Sequence, residues 1–327
     1  MPRRSCIVSS VKRAPLALLL LASVSCAGRA APTEHASGEP PAAHVAAPPR
    51  ARAGIVIARV PGPAPSPAAP SPAAPSPAAP SPAAPSPAAP SPPAPGGLAG
   101  GDRDGRVTLV RFDLSRYRLT LITEAENEGV WRTLPEWASR EHLVAGINAA
   151  MFEPEGRASG LLVDEGVERA PDDPRFGGVL AFDPIDPSAP PFVMVGRDCE
   201  GVDLASLRAR YRSLVANYRM LDCDGAPIAW VDESVYSSAA FARDREGRFV
   251  LIHAETPYRM RDLAVTLADP ALGLTDVHYV EGGPKASVWF DDGTGAPRSL
   301  VGSRVEEDGH VERGPRPIPN VLGLLAR

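Results

Sequence analysis

The chain has 327 residues, a formal net charge of −5 and 39 prolines, a proline content well above that of a compact domain, so part of it is not globular. No basic block remains once the first residues are removed, which argues against nucleic acid as a partner. Beyond the leader, no run is long and apolar enough to span a membrane.

Arg3, Arg4, Lys12 and Arg13 precede the apolar run LALLLLASV at 16–24. A spanning helix needs about 20 apolar residues, so a basic start before so short a run predicts a signal peptide and export. The segment closes with SVSCAG, where a small residue before Cys26 resembles the lipobox of bacterial lipoproteins. Residues 1–26 are therefore expected to be a lipoprotein-type signal, with Cys26 acylated and the protein anchored in the cell envelope. Ser23 stands where leucine is usual, and ordinary cleavage near Ala30 is the competing reading.

Residues 27–106 are mostly Pro, Ala, Gly and Ser, with five SPAAP repeats over 66–90 at their centre. Such a segment buries too little surface to offset its ordering entropy, so a disordered linker is expected. As polyproline II, at about 3.1 Å per residue, 61–95 would reach on the order of 110 Å. It reads as a stalk holding the next domain off a membrane, or as a plain spacer. Residues 107–327 suffice for one domain with a large core. Of four cysteines, Cys6 leaves with the signal and Cys26 is acylated or removed. Cys199 and Cys223 remain, and in an oxidising compartment two leftover thiols often pair; whether their Cα atoms come close enough is for the structure to decide.

Within 107–327, VTLVRFDL (107–114) and YRLTLIT (117–123) alternate around a short polar turn and predict a hairpin. RTLPEWASREH (132–142) predicts a helix and LVAGINAAMF (143–152) a buried strand. LLVDEGVER (161–169) reads as a tight hairpin turning at Gly166, and GVLAFDP and FVMVG read as further strands. DLASLRARYRSL predicts a helix capped by Asp203, with Leu204, Leu207, Tyr211 and Leu214 on one face. SSAAFARDREGRFVLIHA reads as a hairpin around Asp244–Gly247, and 258–269 as a helix. A strand over 276–280, a break at Glu281-Gly282-Gly283-Pro284-Lys285, a strand over 286–290 and a last strand from Val321 to Leu325 complete the chain. Hairpins outnumber βαβ units, so the expected fold is α+β: a mixed, largely antiparallel sheet with a few packed helices, in a single domain after the stalk.

The order INAAMF, GLLVDEGVE, NYRMLDCDGAPI, SSAAFARDREGRFVLIHA, a helix, VEGGPKAS and RPIPNVLGL resembles the phosphodiester glycosidase domain, the domain of N-acetylglucosamine-1-phosphodiester alpha-N-acetylglucosaminidase, over essentially all of 107–327. The resemblance implies hydrolysis of a sugar-1-phosphate diester at the glycosidic C1–O bond. It places the family's asparagine on Asn148, its D-G-G-G-S-like segment on Glu281-Gly282-Gly283, and its closing R-x-x-x-N-like segment on Arg316 and Asn320. The chain departs from the pattern in having Glu281 for aspartate, Pro284-Lys285-Ala286 for a serine-rich continuation, and Ser237 or Ser238 for an arginine.

In that reaction the phosphate already leaves well, so the protein must activate water or supply a nucleophile, steady positive charge at C1 and hold the phosphate. Glu281 and Asn148 are the catalytic candidates. Glu281 alternatively caps the Gly-Gly loop, and Asn148 either orients a sugar hydroxyl or satisfies a loop carbonyl. Gly282 and Gly283 let backbone N–H groups face an anionic oxygen or simply make a turn. Lys285, Arg219 and Arg316 are candidate phosphate partners or solvated surface charges. His253, ahead of Glu255, is a candidate substrate-facing acid or a core histidine; Asp222 and Asp224 either supply a second carboxylate or make a turn, and Asp291-Asp292-Gly293 reads as a turn. No HExxH, CxxC, EF-hand, P-loop, dinucleotide or G-x-S-x-G spacing is present, so neither metal nor cofactor is expected. The expected partner is a glycan or phosphosugar, with a monomer reaching the membrane through its lipid. Two other classes stay open: an inactive glycan-binding module on a stalk, and a structural envelope lipoprotein.

Overall fold

Runs of β-branched and aromatic residues, apolar on both faces, give a fold built mainly of strands. The computed structural model describes residues 51–63, 106–199, 201–305 and 310–327. The expected signal peptide, Cys26 and the SPAAP repeats lie outside the described residues.

The described chain begins with β1 (Ile55–Pro61), β2 (Arg106–Phe112) and β3 (Tyr117–Thr123), then helix α1 (Leu134–Arg140) and β4 (Ala145–Asn148). Two hairpins follow, β5 (Leu162–Asp164) with β6 (Val167–Ala170), and β7 (Gly178–Pro184) with β8 (Phe192–Gly196). Helix α2 (Leu204–Arg210) leads into β9 (Tyr211–Arg219), and β10 (Tyr236–Asp244) pairs with β11 (Phe249–Tyr258). After α3 (Met260–Leu267) come β12 (Leu274–Gly282), β13 (Ser287–Phe290), β14 (Arg298–Val301), β15 (Ser303–Val305), β16 (Val311–Arg313) and β17 (Asn320–Ala326).

The larger sheet runs β1-β2-β11-β10-β12-β9-β5-β6, with β7–β8 joined at β9 and β15–β16 at β10. The smaller runs β14-β13-β4-β17-β3. All these pairings are antiparallel, in keeping with the expected α+β class. The two sheets face each other across a core that includes Val110, Phe112, Ile147, Phe241, Leu251 and Leu322. Alternate residues of the larger sheet (Leu109, Ala240, Ile252) pack outward against α3, and Leu161, Val179 and Leu214 pack against α2. On the outer face of the smaller sheet, Trp137 of α1 packs with Leu134, Val321 and Ile318. Four layers result, and strands apolar on both faces follow from being covered on both sides.

Four expectations are corrected. The 107–114 and 117–123 strands are not a hairpin: β2 lies between β1 and β11 in the larger sheet, so neither of its edges is left for β3, which pairs with β17 in the smaller. Phe112 and Tyr117, their rings edge-to-face at 5.6 Å, pack where the chain crosses between sheets. The second correction concerns the linker. Ile55–Pro61 forms a strand, and it pairs along β2 from Ile55↔Phe112 to Pro61↔Arg106. Third, α2 ends at Arg210, because Tyr211 and Leu214 belong to strand β9; the Asp203 cap is as expected, accepting from the amides of Ala205 and Ser206. Fourth, the strand over 276–280 does not stop at Val280. It bulges there, with Ala239 opposite Glu281 and Ala240 opposite Tyr279, and runs on to Gly282.

Candidate active site

The bulge sets the site. Val280 belongs to the core between the sheets, whereas Tyr279 packs on the other face of the larger sheet. Glu281 lines a cavity of about 680 Å3 together with Gly282, Gly283, Pro284 and Lys285. Trp131, Tyr236 and Tyr279 give it aromatic walls. Arg304, Arg316, Asp232 and Glu312 add charged groups.

Glu281 is 9% exposed, and its Oε1 accepts a 3.0 Å hydrogen bond from the Gly282 amide. Burial pushes its carboxyl up to about 7, against the lowering effect of that amide and of the Lys285 ammonium. The capping role and the cavity-facing role are thus both met by one side chain. Gly283 adopts φ +65°, the left-handed region that favours glycine. At Gly282 a Cβ would lie 2.6 Å from Cδ2 of Tyr236 and 2.6 Å from the Tyr279 hydroxyl, so only glycine lets the two tyrosines close over the loop.

Those tyrosines have ring centres 6.5 Å apart, and the Tyr236 hydroxyl donates to Oδ2 of Asp232 at 3.3 Å. Burial raises both phenols, Tyr236 to about 12 and Tyr279 well above its usual value, so each stays a neutral donor. Asp232 is held below the usual aspartate range, chiefly by the Ser234 amide and hydroxyl, with Tyr236 and Arg304 adding to the effect. Lys285 sits 4.4 Å from the centre of the Phe152 ring, and Arg316 pairs with Glu312.

The other sequence candidates lie elsewhere. Asn148 is fully buried and does not line the cavity; its Oδ1 accepts the Ser287 amide at 3.1 Å, while its Nδ2 has no hydrogen-bond partner among the described residues. His253 faces the core between the sheets, where Nε2 lies 3.4 Å from the Ala286 carbonyl, and burial pushes it down to about 4. Both therefore support the outgoing limb of the loop from beneath, because their strands place them on covered faces. Arg219 also lies away from the cavity, paired with Asp198 and 3.7 Å from Sγ of Cys223. Cys199 and Cys223 are joined in a disulfide with Cα atoms 5.6 Å apart. Asp222 and Asp291 accept nearby backbone amides and make turns, as the sequence suggested. Asn320, from the closing segment, donates to the Gly156 carbonyl at 3.3 Å.

Neither serine at the position of the expected arginine faces the cavity. Ser237 donates to the Glu255 carbonyl at 2.6 Å and accepts the Ser303 amide at 2.8 Å, which docks β15 beside β10. Ser238 packs on the Met260 sulfur. The next residue of β15 is Arg304, opposite Tyr236 in register, and it brings a guanidinium to the cavity. Sequence reasoning missed Arg304, Asp232, Tyr236, Tyr279 and Trp131; only Tyr279, two residues before Glu281 on one strand, carried a period-2 signal that could have found it.

A larger cavity of about 770 Å3 lies between β3 and the ends of β5 and β7. No sequence candidate lines it, and its Arg327 is committed to the Leu114 and Tyr117 carbonyls.

Comparison with solved structures finds likeness at low identity. The fold resembles the zebrafish N-acetylglucosamine-1-phosphodiester alpha-N-acetylglucosaminidase catalytic domain, auto-inhibited by its pro-peptide, at TM-score 0.47 and 14% identity, covering 68% of this chain and 77% of that one. A hypothetical protein from Synechocystis gives TM-score 0.45 and 11% identity, covering 69% of this chain and 61% of that one. A Burkholderia pseudomallei protein assigned as exported gives 0.42 and 14%, covering 70% and 75%. No family model and no curated protein matches the chain.

Proposed function

We propose that the cavity binds a sugar-1-phosphodiester and hydrolyses its glycosidic C1–O bond. One observation carries the reading: a buried carboxyl pushed up to about 7 faces a cavity that Lys285, Arg304 and Arg316 also line. A group titrating near neutral pH exchanges protons readily at the reacting centre. The cations suit a phosphate, arginine by a paired fork and lysine as a point charge. Trp131, Tyr236 and Tyr279 offer apolar faces to a sugar ring. The ordered motifs of the sequence lead to the same chemistry.

The disulfide favours an oxidising compartment outside the cytoplasm. With the leader, it supports export; on the functional reading above, the proposal is a monomer held at the envelope by a lipid on Cys26, with a glycan or phosphosugar as ligand. A second reading, a binding module without turnover, draws on Asn148, which supports the loop instead of facing the cavity.

Hydrolysis of UDP-sugars and synthetic sugar phosphodiesters by the chain from residue 27, beside Glu281→Gln, separates the two. Turnover that falls by about 100-fold or more in the variant, to a residual rate, is the expected result. Saturable binding without turnover in either protein would establish the second reading.

A further inference from the structure

Three carboxyl groups line the candidate cavity; Glu312 is paired with Arg316, and the other two stand under opposite influences. Glu281 is buried against the bulge, whereas Asp232 sits on the exposed segment before β10. The Tyr236 hydroxyl donates to Asp232, so this loop side chain is fixed by a hydroxyl from the sheet as well as by its own turn to Ser234. Neighbouring Glu233 is committed elsewhere, to Arg259 and Arg261.

We propose that Asp232 is the second working carboxylate of this cavity, taking a proton from the water that attacks C1 while Glu281 gives one to the departing phosphate oxygen. The inference rests on the functional reading above and divides the labour within it. As the water oxygen bonds to C1, the C1–O bond breaks and its electron pair leaves with the phosphate. Asp232 holds the water proton, and Glu281 has transferred its own. The products are the free sugar and a phosphate monoester, and a proton returned from Asp232 to Glu281 through solvent restores the pair.

The electrostatics agree with that division. Where environments push two carboxyl groups apart, the lowered one is the base and the raised one the acid. Asp232 is kept ionised by Ser234, Tyr236 and Arg304, and Glu281 is kept largely protonated below neutral pH by burial. A phosphate monoester has a second pKa of about 6, close enough to that of Glu281 for the proton to pass with little bias. The other charged groups lining the cavity are Lys285, Arg304, Arg316 and Glu312.

The test is the pH profile of kcat/KM on the sugar phosphodiester panel for wild type, Asp232→Asn, Asp232→Gly and Glu281→Gln. Asp232 is exposed, so its variants should fold, and a melting curve checks that they do. Asp232→Asn should fall by about 100-fold or more and lose the acidic limb while keeping the alkaline one. Added formate should restore rate to Asp232→Gly. Glu281→Gln should lose the alkaline limb instead. An Asp232→Asn rate within about threefold of wild type, or no rescue by formate, overturns the proposal and leaves the hydrolase reading standing. An inert wild type removes both.

Discussion

Ionising Glu281 inside the fold costs free energy that the unfolded chain does not incur. Its carboxyl titrates near 7 in place of the ordinary 4.5, so the group favours the folded state fully below about pH 4.5 and loses that contribution as pH rises through 7. The shift corresponds to roughly 3 kcal/mol, since one unit is worth about 1.4. Glu281→Gln should therefore match wild-type stability near pH 4.5 and exceed it by up to roughly 3 kcal/mol at pH 8, read from urea midpoints. A gap that does not change with pH would mean that burial does not perturb this carboxyl. At this scale the sequence was informative where a residue type has few uses. A carboxylate ahead of two glycines led to the candidate cavity, whereas Asp232, which also lines it, lies on a segment with no periodicity and could not be found. Arg219 and His253 misled, because nothing in a sequence says which face of a doubly covered strand meets a ligand.

The chain leaving the Gly282–Lys285 loop is held through the backbone of Ala286 and Ser287. Asn148 takes the Ser287 amide, His253 approaches the Ala286 carbonyl, and the Gly302 amide donates to that same carbonyl at 2.8 Å. Gly282→Ala should displace the Tyr236 ring and, through it, the hydrogen bond to Asp232. Overpacking of this kind costs about 1–3 kcal/mol. A lower melting temperature together with changed tyrosine absorbance or fluorescence is expected, and an unaltered melting curve would show that the tyrosines are free to move. Elements were legible where local chemistry decides them. The β10–β11 hairpin was read from alternation around Asp-Arg-Glu-Gly, and β5–β6 from Gly166, whose φ is +86°. The supposed β2–β3 hairpin failed because alternation sets a strand's faces but not its partner. Tyr211 reads as helical because the apolar spacing of three and four through Leu204, Leu207, Tyr211 and Leu214 continues by chance into the next strand.

At the scale of the whole molecule, β1 belongs to the same compact unit as the other described strands and helices. Its signal, IVIARVP, was hidden by the proline-rich composition on both sides. The register of β1 and β2 has a topological consequence: with Pro61 opposite Arg106, residues 62–105 join two adjacent strands, and the repeats do not lie between the leader and the domain. The stretch that separates Cys26 from the sheet is then 27–54. A protease site placed at residue 80 and cut to completion should leave two polypeptides that co-elute in native buffer and separate only in denaturant, held by the seven-residue pairing of β1 along β2. Dissociation in native buffer would show that β1 docks too weakly to serve. If the fragments stay joined, a lipid on the first would secure the second to the membrane through hydrogen bonds and packed side chains alone. Shedding the domain from the cell surface would then require unzipping an edge strand, a step that responds to force, temperature and denaturant, and not to the protease that made the cut.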